Sequence, residues 1–174
     1  MDKRLVHKII QLPDIEESGY FHEERSFDLR KIDELKAGVA VIILNQENQV
    51  LLQKRADVGL WGIPSGHVEI GETVSEAVMR EVKEETNLDI SIEKLIGVYS
   101  DPESQVFNYP NGKVVHFITT CFLAEITGGE LKCNSDESLE IKFFGQDNLP
   151  EDLLTMHPQW LEDALSKKEA AFIR

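Results

Sequence analysis

From Val74 to Leu88 the chain reads VSEAVMREVKEETNL, and its apolar residues and its acids claim the same side of one helix. With Val74 at zero and about 100° per residue, Val78, Val82, Ala77 and Leu88 fall at roughly 40°, 80°, 300° and 320°. Glu85 and Glu81 fall inside that face, at roughly 20° and 340°, with Glu84 at its edge at roughly 280°. Glu76 and Lys83 lie opposite, where solvent is expected. Carboxylates three and four residues apart are neighbours on a helix and repel one another. Taking an isolated one out of water is costly. A fold that turns Glu81 and Glu85 inward therefore needs positive charge beside them. Oxygen-only ligands of this kind suit a hard divalent cation, Mg²⁺ or Mn²⁺.

The ends of this helix are also written in the sequence. Thr73 can cap its N-terminus, with Glu76 three residues later completing a capping box. Asn87 follows Thr86, where a left-handed residue ends a helix, and Asn tolerates that conformation. The expected helix is Thr73–Thr86.

Around it the pattern predicts strands. Ala37–Asn45, AGVAVIILN, is a continuous apolar run suited to a strand buried on both faces. Gln49–Arg55 reads as its hairpin partner across a polar turn. Ala56–Glu72 is a glycine-rich loop leading into the helix. Strands follow at Asp89–Tyr99, Val114–Ile126 and Ile141–Phe144, with turns at Tyr109–Gly112 and Thr127–Glu130. Leu153–Leu165 reads as a helix bent or broken at Pro158. The order ββ–α–βββ–α predicts an α+β fold, an α/β/α sandwich with a mixed sheet between helices. Residues 1–36 are charged and weakly periodic, and read as an N-terminal extension that could serve as an interaction arm. Within it Leu5, Val6, Ile9, Ile10 and Leu12 could dock as a short strand or helix. Residues 37–174 read as the domain proper.

Charge narrows the partners. The 174 residues carry a formal net charge of −14. Binding to long nucleic acid relies on Lys and Arg neutralising phosphates, and no basic stripe is present, so a long nucleic acid partner is not expected. A small phosphorylated ligand fits if cations screen it. No apolar run is long enough to span a membrane. The start of the chain does not read as a secretory signal, and Cys121 and Cys133 have no metal-binding spacing, so the expected setting is cytoplasmic and reducing.

The stretch Gly66–Leu88 resembles the signature of the Nudix hydrolase family. That signature is a Gly, five residues, Glu, seven residues, then Arg-Glu-apolar-x-Glu-Glu-x-Gly-apolar. Here it is carried by Gly66, Glu72, Arg80, Glu81, Val82, Glu84, Glu85 and Leu88, with Asn87 in place of the second Gly. Trp61-Gly62-Ile63-Pro64 resembles the segment that precedes the signature, although Ser65 replaces the first of two glycines often found there. The likeness covers about Ala37–Leu149.

The resemblance implies a Nudix-type α/β/α sandwich and Mg²⁺-dependent hydrolysis of a nucleoside diphosphate linked to another group, with Mn²⁺ able to replace Mg²⁺. It implies Glu81, Glu84, Glu85 and the carbonyl of Gly66 as metal ligands, with Glu72 contacting metal-bound water or supporting the site. Arg80 would orient a glutamate of the helix. The general base would be a glutamate of the signature or an acid on a later loop. Glu140, ahead of Phe143-Phe144, resembles that later acid and could be base or extra ligand; Asp136 and Glu137 lie in the same loop. Lys54, Arg55 and His67 are candidate phosphate contacts. Trp61, Tyr99 and Phe107 are read as core or rim more than as base-stacking groups. The substrate stays open among ADP-ribose, other nucleotide sugars, dinucleotide polyphosphates, capped RNA ends and nucleoside triphosphates. The charge leans to a small nucleotide derivative, and a homodimer is compatible with the extension. The alternative is a catalytically silent Nudix-like module that senses or binds a nucleotide. A third reading makes the acids a structural site for a divalent metal such as calcium.

Overall fold

The computed structural model describes residues 31–109, 111–133 and 136–174. In chain order its elements are β1 (Glu34–Ile43), β2 (Val50–Arg55), β3 (Trp61–Gly62), β4 (Ser65–His67), α1 (Val74–Thr86), β5 (Leu88–Tyr99), α2 (Pro102–Gln105), β6 (Val106–Asn108), β7 (Val114–Gly129), β8 (Ser138–Phe144), α3 (Trp160–Leu165) and β9 (Phe172–Ile173). The docking segment expected between Leu5 and Leu12 lies outside the described residues. No described helix is long and apolar enough to cross a membrane.

The strands form two sheets. The larger runs β4-β1-β7-β5-β9, with β6 added on β7. It is mixed, as expected: β1 is parallel to β7, while β4 pairs antiparallel with β1 and β5 with β7. The smaller is β3-β2-β8, antiparallel throughout.

Alternation along β1 builds the sandwich. Val39, Val41 and Ile43 pack with Ala77, Val78 and Val82 of α1. Ala40 and Ile42 point the other way, into a cluster with Trp160 and Ala164 of α3. Successive strand side chains face opposite sides, so one apolar run serves two helices. Each fully buried Val or Ile there stabilises the fold by roughly 1.5–3 kcal/mol.

Helix α1 follows its sequence closely. Thr73 caps it, with a reciprocal capping box to Glu76, and Asn87 ends it at φ 60°. Val74, on the expected inward face, is 38% exposed instead of buried.

Elsewhere the structure corrects the reading. The chain does reverse at Asn45–Gln49, where Asn45 N donates to Gln49 O at 3.0 Å. The two strands then part: β1 joins the larger sheet and β2 the smaller, leaving a single bridge at Leu44–Val50 instead of a hairpin ladder. No turn forms at Thr127–Glu130. Strand β7 runs on to Gly129, opposite Leu88. Its glycine is needed for close approach as well as backbone conformation: φ is +82°, and an added Cβ would lie 2.8 Å from the Leu88 Cα. Of the helix expected at Leu153–Leu165, only α3 forms. Pro158 lacks an N–H and disfavours helical backbone before it. Instead Leu154 N donates to Trp61 O at 2.6 Å, joining this segment to β3. Strand β9 was not anticipated; it adds to β5, and Arg174 beyond it grips the buried carboxylate of Asp163 at 2.8 Å.

Candidate active site

The register of β4 against β1 sets Gly66 opposite Val39 and beneath the C-terminal half of α1. Any side chain at position 66 would overlap the carboxylate of Glu81. The glycine is thus required by contact with the acid, and His67 N donates to Glu81 Oε1 at 3.4 Å.

Arg80 gathers the outer acids. Its Nε donates to Glu72 Oε1 at 2.7 Å and its Nη2 to Glu72 Oε2 at 3.1 Å. The same Nη2 reaches the His67 carbonyl at 3.1 Å. Its Nη1 lies 3.0 Å from Glu81 Oε1 and 3.1 Å from Glu84 Oε2. Hydrogen bonding to Arg80 holds the Glu72 carboxyl below its ordinary range. Burial pushes Glu81 up, against the pull of Arg80.

Glu85 sits one turn deeper. It is 4% exposed, against 12% for the side chain of Glu81 and 57% for that of Glu84. That ranking follows the helical wheel: inward, inward, edge. Its partners are neutral. Gln53 Nε2 donates to Oε1 at 2.6 Å, and Ser65 N donates to Oε2 at 3.3 Å. Burial, reinforced by the charge of Glu81, pushes its carboxyl up to about 8, although the bond from Gln53 opposes the shift. The ordinary value is 4.5.

These acids border a cavity of about 1290 Å³. Gly66, His67, Arg80, Glu81, Glu84 and Glu85 all line it, as do Arg55, Asp136 and Glu137. Arg55 is paired through Nη2 to Asp57 at 2.8 Å, which raises the arginine and lowers the aspartate. Glu72 stands behind Arg80 and is not part of the wall. Tyr99, Phe107, Phe117, His157 and Trp160 give the cavity an aromatic side.

Besides Glu72, two expected members are not brought to that wall. Lys54 and Glu140 face each other across the β2–β8 ladder. Lys54 pairs with Asp152 at 2.9 Å, and Glu140 with Lys142 at 3.2 Å. Strand alternation is the reason: Gln53 turns toward α1, so its neighbour Lys54 turns away. Gln53 and Ser138 were missed in the sequence. The available signal was a polar residue two positions after Leu51, on the strand face that Leu51 buries.

The donor set fits a hard cation. Glu81 and Glu85 are taken out of water, and Glu85 has only neutral hydrogen-bond donors, so without a cation it holds its proton up to about 8 and with one it can ionise. Carboxylates and the Gly66 carbonyl offer oxygen alone, which suits Mg²⁺ or Mn²⁺. Among the described residues no three acid, histidine or cysteine side chains already converge on one point. Glu81 and Glu84 meet on Arg80, while Glu85 is held separately on Gln53.

Comparison with known proteins agrees with this geometry. The family model for the NUDIX domain matches residues 34–166, from the first residue of β1 to just past α3. The ADP-ribose pyrophosphatase of Methanocaldococcus jannaschii is 40% identical over 129 residues, covering 72% of this chain and 71% of that protein. The NAD-capped RNA hydrolase NudC of Vibrio vulnificus is 34% identical over 113 residues, 64% of this chain and 39% of that protein. Among solved structures, an ADP-ribose pyrophosphatase from Streptococcus suis superimposes with a TM-score of 0.62 at 27% identity, covering 80% of this chain and 97% of that one.

Proposed function

The chain belongs to the NUDIX family, and from that premise we propose that it uses Mg²⁺ to hydrolyse the pyrophosphate bond of a small nucleoside diphosphate derivative, with ADP-ribose the first compound to test. The observation that carries this reading is Glu85: a buried acid beside a second half-buried acid, with neutral donors only, in the wall of a large cavity. An ordinary core would not keep such a group without a cation to meet it.

In this reading Glu81, Glu84, Glu85 and the Gly66 carbonyl hold the ion. A bound divalent cation neutralises the diphosphate and makes water a better nucleophile near neutral pH. The chain's own residues do the rest. Arg80 keeps Glu81 and Glu84 aimed at one region and is itself fixed by Glu72. Water attacks one phosphorus, the bond from that phosphorus to the bridging oxygen breaks, and Glu84, the most exposed of the three acids, accepts the proton. Arg55 and His67, which line the same cavity, are the residues that would meet phosphate oxygens in this reading. The aromatic side of the cavity offers room for the nucleoside.

A net charge of −14 supports a small substrate over long RNA. The test is a panel of ADP-ribose, other nucleotide sugars, dinucleoside polyphosphates, nucleoside triphosphates and NAD-capped RNA, incubated with protein and Mg²⁺, with products identified by mass. AMP and ribose 5-phosphate from ADP-ribose are expected, with the capped RNA much slower. Tight nucleotide binding with no product after prolonged incubation would establish the silent binding module instead.

A further inference from the structure

We infer that Gln53 and Ser138 form a buried relay that positions the carboxylate of Glu85, so that Ser138, on a strand of the smaller sheet, governs how well the site holds its cation. The inference rests on the reading of Glu85 as a metal ligand.

The relay is a chain of two short hydrogen bonds through three buried side chains. Ser138 Oγ donates to Gln53 Oε1 at 2.6 Å, and Gln53 Nε2 donates to Glu85 Oε1 at 2.6 Å. Ser138 is 7% exposed and Gln53 1%. The direction of the relay follows from the groups themselves. A carboxylate that holds a cation is ionised and only accepts, so in that state Gln53 turns its NH₂ toward Glu85, as it does here. That leaves its carbonyl facing Ser138, which needs a donor there and has one. Without the hydroxyl, the Gln53 carbonyl would be buried with no donor, and the amide would lose the restraint that aims it.

Three features argue that this is more than a satisfied core polar group. Gln53 fixes one oxygen of Glu85 while Ser65 N takes the other, so the carboxylate plane is set from both sides. A neutral amide orients the acid without cancelling its charge, leaving that charge for a cation; Arg80 cancels charge where it binds. And Ser138 stands directly after Asp136 and Glu137, the loop acids on the cavity wall. The β2–β8 ladder slips between Lys54 and Arg55, which sets Ser138 opposite Arg55, and Glu137 O accepts from Ala56 N at 2.7 Å. One residue thereby ties the loop acids and the deepest helix acid to the same strand. Gln53 and Ser138 act through Glu85 and are positioning residues.

The experiment compares wild type, Ser138→Ala, Ser138→Thr and Gln53→Met. Mn²⁺ affinity of the protein alone is measured by calorimetry, with kcat and KM on the best substrate and the melting temperature of each variant. Ser138→Ala is expected to weaken Mn²⁺ binding and lower kcat by about tenfold each, with KM for the nucleotide within about twofold. Ser138→Thr, which keeps the hydroxyl, is expected to restore both, and Gln53→Met to lose more than Ser138→Ala. A folded Ser138→Ala with wild-type Mn²⁺ affinity and kcat would overturn the inference while leaving the proposed function standing. So would a folded Ser138→Thr no better than Ser138→Ala. If Ser138→Ala does not fold, Gln53→Met is decided by the same readings. If neither folds, the pair is a structural element and the inference fails. Wild-type protein that binds no Mn²⁺ and cleaves nothing would overturn both this inference and the reading beneath it.

Discussion

Helix α1 presents its acids to two unlike surroundings. On the outer side Arg80 binds Glu72, Glu81 and Glu84 through one guanidinium, at 2.7–3.1 Å. On the inner side Glu85 meets an amide and a backbone N–H. The charged clamp compensates its acids and lowers Glu72; the neutral cradle orients Glu85 and offers no charge to its ionised form, which therefore holds its proton up to about 8. Nearness of carboxylates thus has two distinct solutions on one helix. One makes the cluster tolerable to the fold. The other keeps a strong demand for positive charge at the bottom of the cavity.

The comparison breaks most visibly at Glu85. Glu85→Gln removes the unmet charge, and turnover is expected to fall by about 100-fold or more. The fold should persist, because Gln keeps the shape of the acid and is as neutral as its protonated form. Turnover within about threefold of wild type, in a folded variant, would place the chemistry elsewhere. Arg80→Ala tests the clamp. Glu72, Glu81 and Glu84 lose their shared cation, and activity is expected to fall by roughly tenfold to thirtyfold, with weaker apparent Mg²⁺ binding. If the clamp variant loses more than the cradle variant, the ranking of the two environments is reversed.

The smallest effect is on stability against pH, in metal-free protein. In the unfolded chain Glu85 loses its proton at its ordinary 4.5, and in the folded state at about 8. Between those values the folded state binds the extra proton, so stability falls as pH rises through that window. The melting temperature is expected to drop by roughly 10 °C from about pH 5 to about pH 8. Glu85→Gln should flatten that slope, and Mg²⁺ should raise the melting temperature more at the alkaline end. Glu72 acts with the opposite sign: its lowered value contributes stability above the unfolded value and loses it as pH falls, at the acid end of the scan. A flat wild-type profile would mean that the cradle does not desolvate Glu85.

The inward turn of Glu81 and Glu85 was legible because helical period is local, and the capping box and Asn87 were legible for the same reason. Long buried strands could be read from β-branched runs, but their partners could not. Nothing in Ala37–Asn45 says that its ladder is with β4 and β7 and that β2 belongs to another sheet. The glycines at 128 and 129 look alike whether they turn a chain or let two strands approach, and only the packing of Asn87 and Leu88 against Gly129 decides. Gln53 and Ser138 were hidden for a similar reason. They are 85 positions apart, and they meet only because the β2–β8 register slips where it does.

That same separation bears on how the molecule is made. Val114 N reaches Asp33 Oδ2 across 81 positions at the start of the parallel β1–β7 pairing, and the cradle joins residues 53, 85 and 138. Closing such long loops is entropically costly before any contact rewards it, so topologies of this kind fold slowly compared with helical bundles. Helix α1, with its local cap, can form early, but its deepest acid has no cradle until both sheets have docked. If Glu85 is a ligand as proposed, competence to bind a cation there arises late, as a property of the finished fold, and Mg²⁺ added to a refolding mixture should slow unfolding more than it speeds folding.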